Sequence, residues 1–341
     1  MKNIIFLIDA QKNPSGGGKI IYQYSNYINS LKQYSSSVVH LRKKKIKKVF
    51  ESINKKLNKN MIDKTTGWKL KDLEVKKNHF FSWFNIKINI RNNLDFNKKK
   101  DFVILPEIFA HFAKDLLIRK KIPYAIFVQN GYTIFPTNDL KNLNKAYKEA
   151  KFILTYSRDI KECVLLAYPK TKGKILDVVS AIDHKKFNLK NKKQNLITYM
   201  PRKLRKHSEL VISFIKNSLP KKWKIQPIEN LSEKEVYKIL NKSKIFLSFS
   251  ELEGLGIPPI EAALAGNNIV GYTGESGKEY WKKPIFTKVY NGDIKNFCKQ
   301  LLKNIESKNF LRRTKKQRKR LAENYSVKKE RNSINKFLKY I

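Results

Sequence analysis

Two glutamates eight positions apart, Glu253 and Glu261, bracket a glycine-rich turn and a helix start in the segment SELEGLGIPPIEAALAG. The apolar run KIFLSF just before it reads as a buried strand. Pro258 and Pro259 suit the first helical positions, where a missing N–H costs nothing, and Gly266 closes a short helix. A strand ending in a glycine loop at a helix N-terminus gathers partial positive charge and backbone donors at the carboxyl edge of a sheet. Open α/β folds bind phosphorylated ligands there. The prolines have no N–H, so the amides of Gly254, Gly256 and Ile257 must supply the donors. Glu253 in the loop and Glu261 on the first helical turn can face one crevice, one taking hydroxyls from a sugar and the other from a ribose. A plainer reading stands beside this one: two acids near a helix start that only offset its dipole, worth about 0.3–1 kcal/mol.

The elements that would position these residues follow from the hydrophobic pattern. Short apolar runs at Ile4–Ile8, Val38–Leu41, Phe102–Leu105, Tyr124–Val128, Phe152–Thr155 and Ile175–Val179 alternate with amphipathic stretches. Unbroken runs with helical spacers predict a parallel sheet covered on both faces. The second half repeats the scheme. It has strands at Leu196–Met200, Trp223–Ile225, Phe246–Phe249, Asn268–Tyr272 and Ile285–Val289. Its helices lie at Ser208–Asn217, at 232–240 behind a Ser232/Glu235 capping box, near Gly277, and at Ile294–Ile305. The fold class is therefore α/β, two Rossmann-like doubly wound domains facing across a cleft, and domain interfaces favour ligand sites. The expected boundaries are 1–187 for the first domain, 188–195 for a polar linker (NLKNKKQN) and 196–312 for the second domain. Residues 313–341 form basic helices packing back toward the first domain. The lysine-rich stretch 42–94, with Trp68 and Trp83, breaks the βαβ rhythm and reads as an acceptor-side insertion.

At 341 residues, with 41% apolar content, the chain is long enough for two cores. It has no apolar run of transmembrane length, and KNIIFLIDA is too short for a signal segment, so a cytoplasmic protein is expected. Cys163 and Cys298 lack partners at metal or disulfide spacing and read as buried thiols. The net charge of +45 would attract polyanions and acidic membranes. Because it is overwhelmingly lysine spread along the chain, it fits a compositional bias as well. Nucleic-acid readers concentrate arginine, so nucleic acid is not the expected partner. The runs Arg42–Lys48 and Arg312–Arg320 read first as solvated helix faces. A P-loop fails on register at both Gly-Lys pairs: Tyr272 and Asn13 stand where glycine is required, and Glu279 and Ile20 where a hydroxyl is.

The motif EGLGIPPIE, followed by Gly274, Gly277 and Glu279 in GYTGESGKEY, resembles the E-x7-E signature of retaining two-Rossmann-domain (GT-B) glycosyltransferases, in particular glycosyltransferase family 4. The resemblance implies that Glu253 lies beside the transferred sugar and that Glu261 holds the nucleotide ribose. NPSGGGKIIYQ, with Gly16, Gly17 and Gly18, looks like the family's first loop, near donor phosphate and acceptor. SAIDHKKF, with Asp183 and Phe187, looks like its hinge-side segment. YMPRKLRKHSE falls where the family places an Arg and a Lys against the diphosphate, which implies Arg202 with Lys206 or Lys203. Pro201 stands where the family usually has glycine. For the family's donor-contacting histidine, His111 is one candidate. Gln129 and Asn130, at the end of the Tyr124–Val128 run, are as well placed, and Ser157 ends a further run.

The implied reaction moves a sugar from a UDP- or GDP-linked donor to a glycan or lipid-linked acceptor with retention, in cell-surface polysaccharide or lipopolysaccharide synthesis. No Asp-x-Asp pair offers a metal site beside the diphosphate, so no metal and no cofactor is expected. Arg202, Lys206 and the helix N-terminus carry the charge instead. An acidic membrane face is a further expected partner, with the protein peripheral at its inner side. Two other readings remain open at this stage: a sugar-nucleotide 2-epimerase-like enzyme, and a polyanion-binding protein on the same scaffold.

Overall fold

The computed structural model describes residues 1–10, 15–44, 69–187, 192–306 and 310–341. Trp68, residues 45–68 of the expected insertion, the end of the Arg42–Lys48 run and the first half of the expected linker lie outside the described residues. The chain divides into two compact units. One comprises Met1–Thr155, Ile160–Asp177 and Phe337–Ile341, the other Tyr156–Asp159 and Val178–Lys336.

The first unit contains β1 (Lys2–Asp9), β2 (Tyr34–Lys43), β3 (Leu73–Val75), β4 (Asp101–Pro106), β5 (Tyr124–Val128), β6 (Phe152–Thr155) and β7 (Ile175–Asp177). They form one sheet in the order β3-β2-β1-β4-β5-β6-β7. All neighbours are parallel except β3, which runs antiparallel to β2. Every residue of β4 and β5 is buried, as a strand covered on both faces requires. Helices α1 (Gly16–Asn29), α2 (Leu140–Glu149) and α3 (Arg158–Ala167) follow β1, β5 and β6. Strand β3 has no run of its own in the apolar pattern, because three residues at a sheet edge are too short to show a period of two.

The second unit has β8 (Leu196–Tyr199), β9 (Lys224–Pro227), β10 (Ile245–Glu253), β11 (Asn268–Glu275) and β12 (Phe286–Lys288), in the order β12-β11-β10-β8-β9, all parallel. Its helices are α4 (Arg205–Ile215), α5 (Glu233–Lys242), α6 (Ile257–Leu264), α7 (Ile294–Glu306), α8 (Phe310–Asn324) and α9 (Val327–Leu338). The sheet has a core on each face, and β10 feeds both. Phe246 packs with Ile260 and Leu264 of α6, whereas Leu247 and Phe249 pack with Val211 of α4 and Phe297 of α7. The Ser232/Glu235 capping box is formed in full, which explains the clean start of α5.

Both sheets reverse direction beside their first strand. In the first unit the reversal lies between β1 and β4, in the second between β8 and β10. The loops leaving the carboxyl ends of those strand pairs are where such sheets bind ligands.

Some sequence expectations change. Arg318, inside a run expected to be solvated, is 3% exposed, because Thr314, Arg318 and Leu321 form one buried face of α8. Cys163 and Cys298, expected as buried thiols, are half-buried. Among the described residues no helix is long and apolar enough to cross a membrane.

Candidate functional site

The paired-acid segment joins β10 to α6 by a turn whose four successive carbonyls are all taken by side-chain hydroxyls. Ser276 donates to the Glu253 carbonyl, Ser157 to that of Gly254 at 2.8 Å, and Tyr280 to those of Leu255 and Gly256 at 3.1 and 2.9 Å. With the carbonyls engaged, the amides are the backbone groups the turn can present. Gly256 caps α6 in the left-handed region (φ 71°), and a Cβ there would come within 2.9 Å of the Tyr280 hydroxyl, so only glycine fits. Pro258 and Pro259 occupy the first turn of the helix.

Glu253 stands at the carboxyl end of β10, beyond a register shift that begins at Ser250. Its carboxylate lies 3.2 Å from Lys203 Nζ, and Lys203 is in the loop after β8. The ion pair therefore spans the reversal point of the sheet and joins an acid to a cation at its carboxyl edge. Arg202 and Lys206 of the same segment are exposed, while Arg205 pairs with Glu229 at 2.8 Å. Among the candidate lysines it is Lys203, not Lys206, that the structure brings to Glu253.

Glu261 sits in the second turn of α6, rather than the first, and is 9% exposed. Its charge reaches Tyr237 of α5, whose hydroxyl is driven well above the ordinary tyrosine range by burial first and by Glu261 next. That hydroxyl donates to Glu233 at 2.5 Å, and Lys186 covers the ring at 4.9 Å. Glu279 lies in a short 3-10 turn after β11. It accepts from the Arg158 amide at 3.0 Å and from the Tyr325 hydroxyl at 3.2 Å, so it ties residue 158 and the C-terminal helices together.

The far end of α6 is held by buried cations. The Arg318 guanidinium donates to the carbonyls of Ala263 and Asn267, and to the Thr314 hydroxyl at 3.0 Å. Lys193 donates to the carbonyls of Ala265 and, at 3.1 Å, Leu240. Burial pushes the Lys193 ammonium down to about 7, with the Arg318 charge adding to it, and burial lowers Arg318 to about 9. The last carbonyls of a helix carry partial negative charge and lack partners within it, so cations suit this place. By sequence Lys193 falls in the polar linker and Arg318 in a run of surface charge. No local pattern marks either, since their acceptors lie in distant elements.

In the first unit Gly16, Gly17 and Gly18 form the first turn of α1 after β1, and the Ser15 hydroxyl accepts from the Gly18 amide at 3.1 Å. Gln129 reaches this turn by donating to the Gly17 carbonyl at 3.0 Å, and a methyl group on Gly17 would collide with the Gln129 amide. Glu107, which sequence reasoning missed, fixes the loop that carries Gln129. It accepts from the amides of Gln129 and Asn130 at 2.9 and 3.2 Å and from the Thr133 hydroxyl at 2.8 Å. Burial pushes its carboxyl up to about 7, against the pull of those donors. Its one sequence signal was an acid directly after an unbroken apolar strand. His111 is in the 3-10 turn after β4, its ring 3.9 Å from that of Phe112.

No family model matches the chain. It is 23% identical over 207 residues to an alpha-1,6-glucosyltransferase of Actinobacillus pleuropneumoniae serotype 7, covering 56% of this chain and 59% of that protein. Two solved structures align over its full length. One is a mutant of S. aureus TarM in complex with fondaparinux, alpha-GlcNAc-glycerol and UDP (TM-score 0.65, 11% identity, 99% of that chain). The other is Anabaena HepE in complex with UDP and glucose (TM-score 0.64, 10% identity, 100% of that chain). At such identities the likeness shows the fold, the α/β GT-B architecture of two Rossmann-like parallel-sheet domains.

Proposed function

We propose that the chain is a glycosyltransferase that takes a sugar from a nucleotide-linked donor and passes it, with retention, to a hydroxyl of a glycan or lipid-linked acceptor. The observation that carries this reading is the Lys203–Glu253 pair at 3.2 Å across the reversal point of the second sheet, beside a glycine-capped helix start. The UDP and sugar bound to the two structural relatives support it. So does the activity named for the glucosyltransferase relative.

In this reading the diphosphate lies against Lys203, Arg202 and Lys206 and against the amides of Gly256 and Ile257. These donors are fixed before reaction and meet negative charge as it grows on the leaving oxygen, worth about 3 kcal/mol each when well aimed. The C1–O bond to the diphosphate breaks and its electron pair stays on the phosphate oxygen. The acceptor oxygen bonds to C1 from the same face, and its proton passes to the departing phosphate oxygen. Glu253 orients the sugar by its hydroxyls and Glu261 the ribose. The protein cations meet the diphosphate charge, and no metal ion is assigned to the reaction. The lysine excess suits an acceptor presented at an acidic surface, as in cell-surface polysaccharide synthesis.

Calorimetry with UDP, GDP and their sugars tests this. One nucleotide should bind at micromolar concentration and Glu261→Ala should weaken it. An absence of heat from every nucleotide at millimolar concentration would sink the reading.

A further inference from the structure

The second unit has another hollow at its carboxyl edge, formed where β10, β11 and β12 end. It has a volume of about 140 Å³, and its lining includes Ser250, Glu251, Tyr290 and Asn291. It opens where β10 slips register between Ser250 and Glu253, a break that leaves Leu252 48% exposed. Tyr290 is 69% exposed, an unusual placement for a large ring, and the Lys288 ammonium lies 4.6 Å from its centroid.

The charges of the lining cancel: Glu251 and Glu275 stand with Lys278 and Lys288. Lys278 is ion-paired to Glu275, and Lys288 sits on the Tyr290 ring. A phosphate would find no uncommitted pair of cations, and the apolar part of the lining, Leu252, Tyr272 and Val289 beside Tyr290, is too small for a lipid chain. What remains is a ring face for C–H groups, carboxylates that accept hydroxyls, and an amide and a hydroxyl that do both. Ligand pockets for larger molecules run to roughly 300 Å³ and more, so this one holds a single ring. We propose that it is a saccharide subsite that takes one neutral sugar residue of a glycan.

Its position gives it a role. Gly274 lines the hollow and separates it from the reacting turn: a Cβ there would lie 2.8 Å from Ser250 Cβ and 3.2 Å from Glu253 Cγ. A sugar seated here lies beside the turn that carries Glu253, since Leu252, its neighbour in β10, also lines the hollow. Resting on the proposed transferase activity, the subsite names the acceptor as a glycan and holds one of its residues that does not react.

The test is saturation-transfer NMR on the full chain, with the nucleotide site filled by excess UDP. The probes are the methyl glycosides of glucose, galactose, mannose and N-acetylglucosamine, together with isomaltotriose. At least one should show transfer, and Tyr290→Ala and Asn291→Ala should each cut the signal about fivefold or more, whereas Glu253→Gln should not. Silence from every probe overturns the subsite, and so does a signal that survives Tyr290→Ala. A wild-type protein that binds neither UDP nor GDP overturns the transferase reading, while the sugar signal still decides the subsite.

Discussion

The two units use opposite charges for the same task. In the second, α6 is held by Arg318 and Lys193 at its carbonyl end. In the first, the loop after β5 is held by Glu107, which takes two backbone amides and a hydroxyl. The difference lies in which backbone groups are left over. A helix ends with carbonyls that have no partner, and a chain leaving a strand into a loop has amides without one. The sign of the buried residue follows from the sign of the exposed backbone dipole. Each pin is costly in isolation and holds because its hydrogen bonds to the backbone offset the loss of water.

The largest effect should separate chemistry from architecture. Glu253→Gln should lower transfer about 100-fold, with nucleotide affinity nearly unchanged, as expected of a group that acts as charge develops. Gln129→Ala in the first unit should cost less than about tenfold. Steady-state kinetics and calorimetry on both variants read this, and equal losses would break the contrast.

Arg318→Ala should destabilise the second unit by about 3 kcal/mol, because it takes the guanidinium donors from the buried carbonyls of Ala263 and Asn267. Faster exchange of β10 and β11 amides is the readout, and amides in β4 and β5 are the control.

The pH dependence should have opposite signs. The Glu107 carboxyl rises from its ordinary 4.5 to about 7 on folding, so the folded first unit binds the extra proton between those values. Its stability is full below about 4.5 and is lost as pH climbs through 7. Lys193 falls from 10.5 to about 7, so the unfolded second unit binds the extra proton. Stability there is full above 10.5 and is lost as pH falls through 7. Amide exchange in each sheet as a function of pH should show both slopes. Glu107→Gln should flatten only the first and Lys193→Met only the second.

The smallest effect belongs to a local device. Ser232→Ala removes the α5 cap and should cost about 1 kcal/mol, seen as faster exchange in its first turn.

The apolar runs located the central strands of both sheets. The glycine and proline positions located the turn into α6, and the capping box the start of α5. These depend on neighbours in sequence, on strand burial, backbone freedom and unpaired amides, so composition and spacing determine them. The residues that brace the site do not follow such rules. Ser157, Ser276 and Tyr280 meet the carbonyls of the turn from remote segments, Lys203 takes precedence over Lys206 through the path of one loop, and Arg318 is buried within a run of surface charge. Hydrogen bonds to distant carbonyls have no period along the chain. Only the folded packing of strands and helices decides which side chain reaches which backbone group.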